Sequence, residues 1–516
     1  MSLRIGIDVG GTNTDAVLMD DLVVISKIKT PTTEDVTSGI TTALHHVLDT
    51  SGTPTSAIAG VMIGTTHFTN AVVERRRLQR TAAVRLGLPA TAALPPMVDW
   101  PEDLRSVLGG QYYLCHGGYE FDGREISKFD PEEIKAAAAD INAKGIKAIA
   151  VSSVFSPVNP EMEIRAAEIL QAECPDASVT RSNEIGRIGL LERENAAILN
   201  ACLRELAKET VVAFRRAISE LGITAPLYLT QNDGTLMSSD FAEQYPVLTF
   251  ASGPTNSMRG AAFLSGLKDA MVVDIGGTTS DVGALAHGFP REASVAVDIG
   301  GVRTNFRMPD VYSFGLGGGS HVQTDPLKIG PQSVGYRLTQ QALIFGGDVL
   351  TTSDIAVAAG VATMGDASKV AHLSPELVEA AINRIQEMVE TGVDRMKTSA
   401  DAVPVIIVGG GSVLVSRTVA GASEMVKPNH FEAANAVGAA IAQISGEVDR
   451  VYSLESLTRD QALDSAKAEA CAKAVEAGAD ANTVQVVDVE DVPLTYLPGN
   501  ATRIRVKAVG DLTLTK

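Results

Sequence analysis

One octapeptide occurs twice. Asp8-Val9-Gly10-Gly11-Thr12-Asn13-Thr14-Asp15 returns as Asp274-Ile275-Gly276-Gly277-Thr278-Thr279-Ser280-Asp281, with five of eight positions identical and Val/Ile and Thr/Ser exchanges at two more. Each copy follows an apolar run (Arg4 to Ile7; Met271 to Val273) and precedes another (Ala16 to Leu18; Val282 to Leu285). Strand, glycine pair and strand read as a β-hairpin, whose tip is where glycine's freedom at positive φ is used. Two such hairpins, one per domain, are able to face each other across a cleft. Glycines without Cβ let backbone N–H groups approach phosphate oxygens, and threonine hydroxyls add donors. An acidic residue at a strand end can hold a hydrated magnesium ion or orient a water. A single Gly-Gly turn is an ordinary hairpin tip, so the duplication with its flanking strands carries the inference.

Rival phosphate motifs are missing. The chain has no G-x-x-x-x-G-K-[ST], and no G-x-G-x-x-G opens a helix after a strand. Gly315-Leu316-Gly317-Gly318-Gly319-Ser320 has the glycines but no helical pattern behind it, and reads either as a glycine-rich loop near the site or as a plain turn. Neither H-E-x-x-H nor G-x-S-x-G occurs, which removes zincin and α/β-hydrolase readings. Hydrophobic residues at 45% and charged residues at 20% exclude wholesale disorder. Basic residues number 43 against 62 acidic, and the formal charge of −19 disfavours nucleic acid and anionic membrane as partners. A nucleotide remains compatible, because N–H groups and a metal act locally.

Cys115, Cys174, Cys202 and Cys471 have no metal or disulfide spacing and read as free thiols. The N-terminus enters a strand directly, and no apolar run reaches the roughly 18 residues of a membrane span. The expectation is a soluble, cytoplasmic protein.

The length of 516 residues suggests about three to four folded units, with two large ones equally allowed. Apolar periodicity predicts helices over Thr37 to Leu48, Phe68 to Leu78, Pro131 to Ala143, Glu161 to Ala172, Arg187 to Leu221, Glu432 to Ile444 and Gln461 to Glu476. A further helix, Ser374 to Met396, has Ser374 as N-cap and Pro375 in its first turn. Strands are expected at Val61 to Ile63, Ile146 to Phe155, Leu227 to Thr230, Pro404 to Val408, Val484 to Val487 and Arg503 to Val506. Residues 90 to 130 read as irregular, and the basic run Arg75-Arg76-Arg77 with Arg80 as a solvated helix end. Small residues Ala436, Gly438 and Ala439 permit close approach to a neighbouring helix.

Taken in order, these segments resemble the hydantoinase A/oxoprolinase family, a branch of the superfamily that holds actin, sugar kinases and the heat-shock chaperone ATPase. Ile5 to Leu18 resembles the family's first phosphate loop, and Ile63 to Arg75 its G-T-T-x-x-T-N-A-x-x-E-R segment. Ser182 to Leu203 is similar to a segment with an S-x-E-[IV] start and an E-R-x-x-T-x-x-x-N-A helix. Leu229 to Ser238 is similar to M-Q-S-N-G-G-L-M, and Ser252 to Ala261 to S-G-P-A-G-G-x-x-G-A. Val272 to Val282 resembles the second phosphate loop, Gly315 to Ser320 with Ile329 to Gly335 a glycine-rich loop and its V-G-P-x-S-A-G sequel, and Val408 to Ser412 the adenosine-contacting turn. Departures cluster where a substrate pocket would be shaped: Ile63 for histidine, the segment around Thr81 to Leu88, Ala196 for threonine, and Asn256-Ser257 for a glycine pair.

The resemblance implies an α/β, two-lobed actin-like (ribonuclease H-like) ATPase fold with duplicated β-hairpin phosphate loops. It implies an N-terminal lobe over 1–180, a central lobe over 181–447 with the second phosphate loop and adenosine turn, and a small C-terminal α/β segment over 448–516. The activity implied is ATP-dependent opening of a cyclic amide (hydantoin, 5-oxoproline or a related lactam) through phosphorylation of the carbonyl, with Mg2+ or another divalent metal. Asp8 and Asp274 are then the metal-organising candidates. Gly10, Gly11, Thr12, Thr14, Gly276, Gly277 and Thr278 would cradle phosphates, and Gly409, Gly410 and Gly411 the adenosine. Asp15 and Asp281 are catalytic candidates or caps of their own turns. Thr65, Thr66 and Asn70 face substrate or phosphate, or cap locally, and Asn232 is a further pocket candidate. Glu194 and Asn195 reach the cleft or form a helix-surface ion pair with Arg193 or Arg187. His67, His116 and His321 touch a second metal or are structural. Alternatives are the ATP-using subunit of an acetone/acetophenone carboxylase-like enzyme, and an actin-like or chaperone-like nucleotide switch. A hydantoinase B-like subunit and a second copy of the chain are the candidate protein partners.

Overall fold

The computed structural model describes residues 3–11, 13–32, 36–293, 297–305, 308–455, 457–494 and 501–513. Both octapeptides turn hairpins. Leu3–Val9 pairs antiparallel with Asn13–Asp20, setting Asp8 opposite Asp15, and Met271–Ile275 pairs antiparallel with Ser280–Ala286, setting Asp274 opposite Asp281. The tips share their closing bond: Gly10 N–H donates to the Asn13 carbonyl at 3.0 Å, and Gly276 N–H to the Thr279 carbonyl at 2.9 Å. The likeness extends one strand further on each side. Ile58–Thr65 and Val403–Val408 run parallel to the first arms, and Val23–Pro31 and Val311–Phe314 run antiparallel to the second arms. A four-stranded unit is thus built twice.

Each unit lies within a larger sheet. The first belongs to a nine-stranded sheet ordered Gln485–Pro493, Thr502–Gly510, Gln443–Tyr452, Thr235–Ser238, Leu227–Thr230, Ile58–Thr65, Leu3–Val9, Asn13–Asp20, Val23–Pro31. Side chains alternate across it, as strand geometry requires. Ala16 and Leu18 pack with Ile40, Leu44 and Val47 of helix Val36–Ser51, whereas Val17 and Met19 pack with Ala436, Val437 and Ala440 of helix Ala434–Ala440. In the second sheet, Val273, Ile275 and Val282 face Ile382, Ile385, Val389 and Val393 of helix Pro375–Met396, whose Ser374 hydroxyl accepts the Leu377 N–H at 3.2 Å. Its other face, with Val272 and Val408, packs on Met258 and Ala261 of helix Ser252–Ser265.

Helices Ser252–Ser265 and Ala434–Ala440 therefore back different sheets, and they cross in direct backbone contact. A Cβ added at Gly260 would overlap the Ala434 carbonyl, and one at Gly438 the Asn256 carbonyl. The close approach expected of the small residues is located here.

A third, all-parallel sheet, Gln111–His116, Thr81–Leu88, Ala148–Ser153, Ser178–Arg181, is joined to the first by the 31-residue helix Leu190–Glu220. The joint holds a buried ion pair: Arg85 Nε donates to Glu194 Oε2 at 2.7 Å, and Ser152 Oγ to the same oxygen at 2.6 Å.

Three sequence expectations need correction. Residues 90 to 130 contain helix Glu102–Leu108 and strand Gln111–His116, because their prolines and glycines bound short elements rather than preventing them. The helix over Phe68 to Leu78 is His67–Glu74, ended by Arg75 at φ 56°, and the Arg75 guanidinium is not solvated but bonds Asp103 at 3.0 Å and the Gly300 carbonyl at 2.9 Å. The helix over Glu432 to Ile444 is the shorter Ala434–Ala440; from Gln443 the pattern switches to alternate burial, and Gln443–Tyr452 is a strand. All four cysteines are free, and among the described residues no helix is long and apolar enough to cross a membrane.

Candidate active site

Both hairpin tips line one cleft of about 460 Å³. Asp8, Gly10, Gly11, Asn13 and Asp15 enter it from the first, and Asp274, Gly276, Gly277, Thr278, Thr279 and Asp281 from the second. Gly409 and Gly410 close one wall, while Thr66 and Asn70 come from the turn after Ile58–Thr65 and from helix His67–Glu74.

Other expected residues lie elsewhere. Thr14 is buried and shares a 3.3 Å hydroxyl contact with Thr32. Thr65 is buried, and its hydroxyl accepts the His67 N–H at 3.2 Å, starting the next helix. Gly411 packs behind the wall on Ile275. Asn232 lines a separate cavity of about 680 Å³ with Met237 and Leu248. Glu194 is committed to Arg85 rather than to Arg193 or Arg187, and Asn195 bonds the Trp100 indole at 2.8 Å and the Arg303 carbonyl at 2.9 Å. None of His67, His116 and His321 lines the cleft; His116 pairs with Glu133 at 2.7 Å. Among the described residues no group of three or more His, Cys, Asp or Glu is placed to hold a metal ion. Thr12 lies outside the described residues.

The cleft also contains residues that the sequence patterns passed over: Lys29, Glu432, Asn435 and Tyr336. Lys29 has a signal in retrospect. It stands directly across the strand pair from Asp15, and its ammonium lies 2.6 Å from that carboxylate. Asn435 is a lone amide in an alanine-rich helix, and its Nδ2 donates to Asp8 Oδ2 at 3.3 Å.

Burial at the cleft raises the proton affinity of all four hairpin aspartates. Burial pushes Asp8 up to about 7, with Asp15 adding to the push and the Asn435 and Asn256 amides opposing it. Burial likewise raises Asp281 to about 6 against the Ser313 hydroxyl. Asp15 and Asp274 are also raised by burial, with Lys29 opposing in the first case and Ser257 and Lys29 in the second.

The residues fit a metal-bound polyphosphate. Asp8 Oδ1 is buried without a hydrogen-bond partner, and the neighbouring Asn256 amide donates to Thr230 Oγ1 at 3.0 Å. A glycine stands near the end of the strand beside each leading aspartate, Gly64 within Ile58–Thr65 and Gly409 directly after Val403–Val408. A Cβ at Gly64 would stand 2.7 Å from Asp8 Oδ1, and one at Gly409 would overlap Asp274 Oδ1. Magnesium is ordinarily held by one or two carboxylates together with phosphates and water, which matches Asp8 and Asp274 flanked by glycine N–H groups.

The chain is similar to several known proteins. The caprolactamase alpha subunit of Pseudomonas jessenii is 29% identical over 385 residues, 69% of this chain and 54% of that protein. The acetophenone carboxylase gamma subunit of Aromatoleum aromaticum is 26% identical over 396 residues, 69% of this chain and 53% of that protein. The chain spans about half the length of these curated relatives. The crystal structure of the ATP-dependent caprolactamase from Pseudomonas jessenii superposes with a TM-score of 0.79 at 19% identity, covering 99% of this chain and 88% of that one. At that identity the likeness shows a shared fold, the mixed α/β fold of actin-like ATPases. The hydantoinase/oxoprolinase N-terminal region model matches residues 4–174 and the hydantoinase/oxoprolinase model residues 193–396, so the two octapeptides fall one in each, and the chain belongs to the hydantoinase/oxoprolinase family.

Proposed function

We propose that the chain binds ATP with a divalent ion between the two hairpins and uses it to activate the carbonyl of a cyclic amide for hydrolysis. The observation that carries this reading is the convergence of two identically registered Asp-hairpins, Asp8/Asp15 and Asp274/Asp281, on a single cleft. Bound ATP and its metal would supply a transferable phosphoryl group and a positive charge against the developing negative one. Asp8 and Asp274 would hold the ion, the N–H groups of Gly10, Gly11, Gly276 and Gly277 would receive phosphate oxygens, and Gly409 and Gly410 would border the nucleoside. Such a site catalyses by positioning and charge stabilisation, because phosphoryl transfer asks for little covalent chemistry from the protein. An unstrained lactam resists water because of amide resonance. Phosphorylation of its oxygen would activate the carbon, so that one water adds there, the ring C–N bond breaks with a proton passing to nitrogen, and a second water hydrolyses the resulting acyl phosphate to carboxylate and free phosphate. Asp15, Asp281, Thr66 and Asn70 are the residues placed to order the reacting water or the ring.

The cyclic-amide reading draws support from the caprolactamase relative, and a carboxylase reading from the acetophenone carboxylase relative at comparable identity. Both relatives are subunits by name, which supports a partner chain for this one as well. ADP release with a panel of lactams and hydantoins, and separately with ketone plus bicarbonate, distinguishes the two. Stimulation by cyclic amides that disappears in Asp8→Ala is the expected result, stimulation by ketone and bicarbonate alone favours carboxylation, and basal turnover that survives Asp8→Ala removes the metal assignment.

A further inference from the structure

Tyr336 is the only aromatic side chain among the described residues lining the cleft, and it is 58% exposed. An aromatic ring left in water is unremarkable on a mobile surface, but this one is carried by a fixed loop. Val334 N–H donates to the Gly319 carbonyl at 2.9 Å, and Gly319 N–H to the Gly277 carbonyl at 2.7 Å, which ties the loop to the second hairpin tip. Gly335, at φ 56°, then turns the chain so that Gly335–Arg337 stands out as a short helical turn. The Arg337 guanidinium lies over one face of the ring, 5.9 Å from its centre, and the opposite face is available to a ligand.

Apart from Pro254, the remainder of the described lining is glycine, carboxylate, amide, hydroxyl and one ammonium. Glycine N–H groups, carboxylates and a metal would hold any triphosphate, whatever is attached to it. A flat face anchored at one tip adds what they lack. Resting on the nucleotide reading above, we propose that Tyr336 stacks on the nucleobase and so selects a nucleoside triphosphate over a bare polyphosphate.

The test uses the full chain with Mg2+, comparing a non-hydrolysable ATP analogue with tripolyphosphate by calorimetry in wild type, Tyr336→Ala and Tyr336→Phe. Base stacking of ordinary strength predicts that Tyr336→Ala weakens the analogue by about tenfold, leaves tripolyphosphate unchanged, and keeps the wild-type thermal melt, as expected for so exposed a ring. Tyr336→Phe, which keeps the face and loses the hydroxyl, should stay within about twofold of wild type for both ligands. Equal weakening of both ligands, no weakening of either, or a raised KM for a cyclic amide with nucleotide affinity intact would each overturn the assignment. Wild-type protein that binds neither triphosphate would overturn the nucleotide reading itself, and the stacking role with it.

Discussion

Asp8 and Asp281 are acids held where ionisation is disfavoured, and that has a signed consequence for stability. Their folded-state proton affinities, raised to about 7 and about 6, exceed those of an unfolded chain near 4. The folded state therefore binds more protons across that interval. The stabilisation is complete below about pH 4 and is lost as pH rises through 6 and 7. In metal-free, nucleotide-free protein, this pair makes the urea midpoint fall between pH 5 and pH 8. Asp8→Asn should flatten that slope and raise the midpoint at pH 8, while cutting metal-dependent ADP release by about a hundredfold or more, the scale of losing one electrostatic group of a transfer site. An unchanged slope in Asp8→Asn would contradict the assignment. At Gly409 the constraint is steric. With φ at 86° and no room beside the Asp274 carboxylate, Gly409→Ala should cost about 1–3 kcal/mol of stability and weaken binding of an ATP analogue, measured by denaturation and calorimetry. Gly410→Ala, at ordinary φ and with only the end of Lys29 nearby, serves as the matched control for the stability effect alone.

At the scale of elements, the two crossing helices decide whether the hairpins stay in register. Gly438 lies against the Asn256 carbonyl, and Asn256-Ser257 lies beneath the two leading aspartates. Gly438→Ala should destabilise the protein by about 1–3 kcal/mol, the range for overpacking, and should also lower metal affinity because it moves Asn256 and Ser257. Denaturation and magnesium titration of the same variant check both effects. The octapeptides, the strands beside them and helix Pro375–Met396 were readable from sequence because local pattern determines them: alternating apolar residues, paired glycines, a serine cap before proline. The flanking strands that complete each duplicated unit were not readable as such, since Val23–Pro31 and Val311–Phe314 share no motif and become equivalent only through pairing. Asn232 illustrates the same limit. A polar residue beside a strand end looks like a site residue in one dimension, yet the sheet turns it towards another cavity. Lys29, by contrast, could have been placed by counting across the strand pair from Asp15.

For the whole molecule, the parallel sheet of residues 81–181 is joined to the nine-stranded sheet partly through Arg85 and Glu194, both essentially without solvent contact. Breaking such a pair leaves one charge buried alone. Arg85→Met should destabilise the protein by about 3–5 kcal/mol, whereas the double change Arg85→Met with Glu194→Leu should recover much of that loss. Thermal melts of Arg85→Met, Glu194→Leu and the double variant close the cycle. An ATP analogue with magnesium at about a hundred times its Kd should stabilise the wild type by about 2.7 kcal/mol, read as a higher melting temperature that is absent with magnesium alone.

The two halves of the cleft share a backbone plan but differ in one cross-strand neighbour: Lys29 faces Asp15 in the first, and Ser313 faces Asp281 in the second. A duplicated frame of equal halves would admit an elongated anion in either orientation. Among the described residues lining the cleft, Lys29 is the single cation and breaks that symmetry, so a molecule charged at one end and neutral at the other would have a preferred heading, and its reacting end would be delivered to the same half at every turnover.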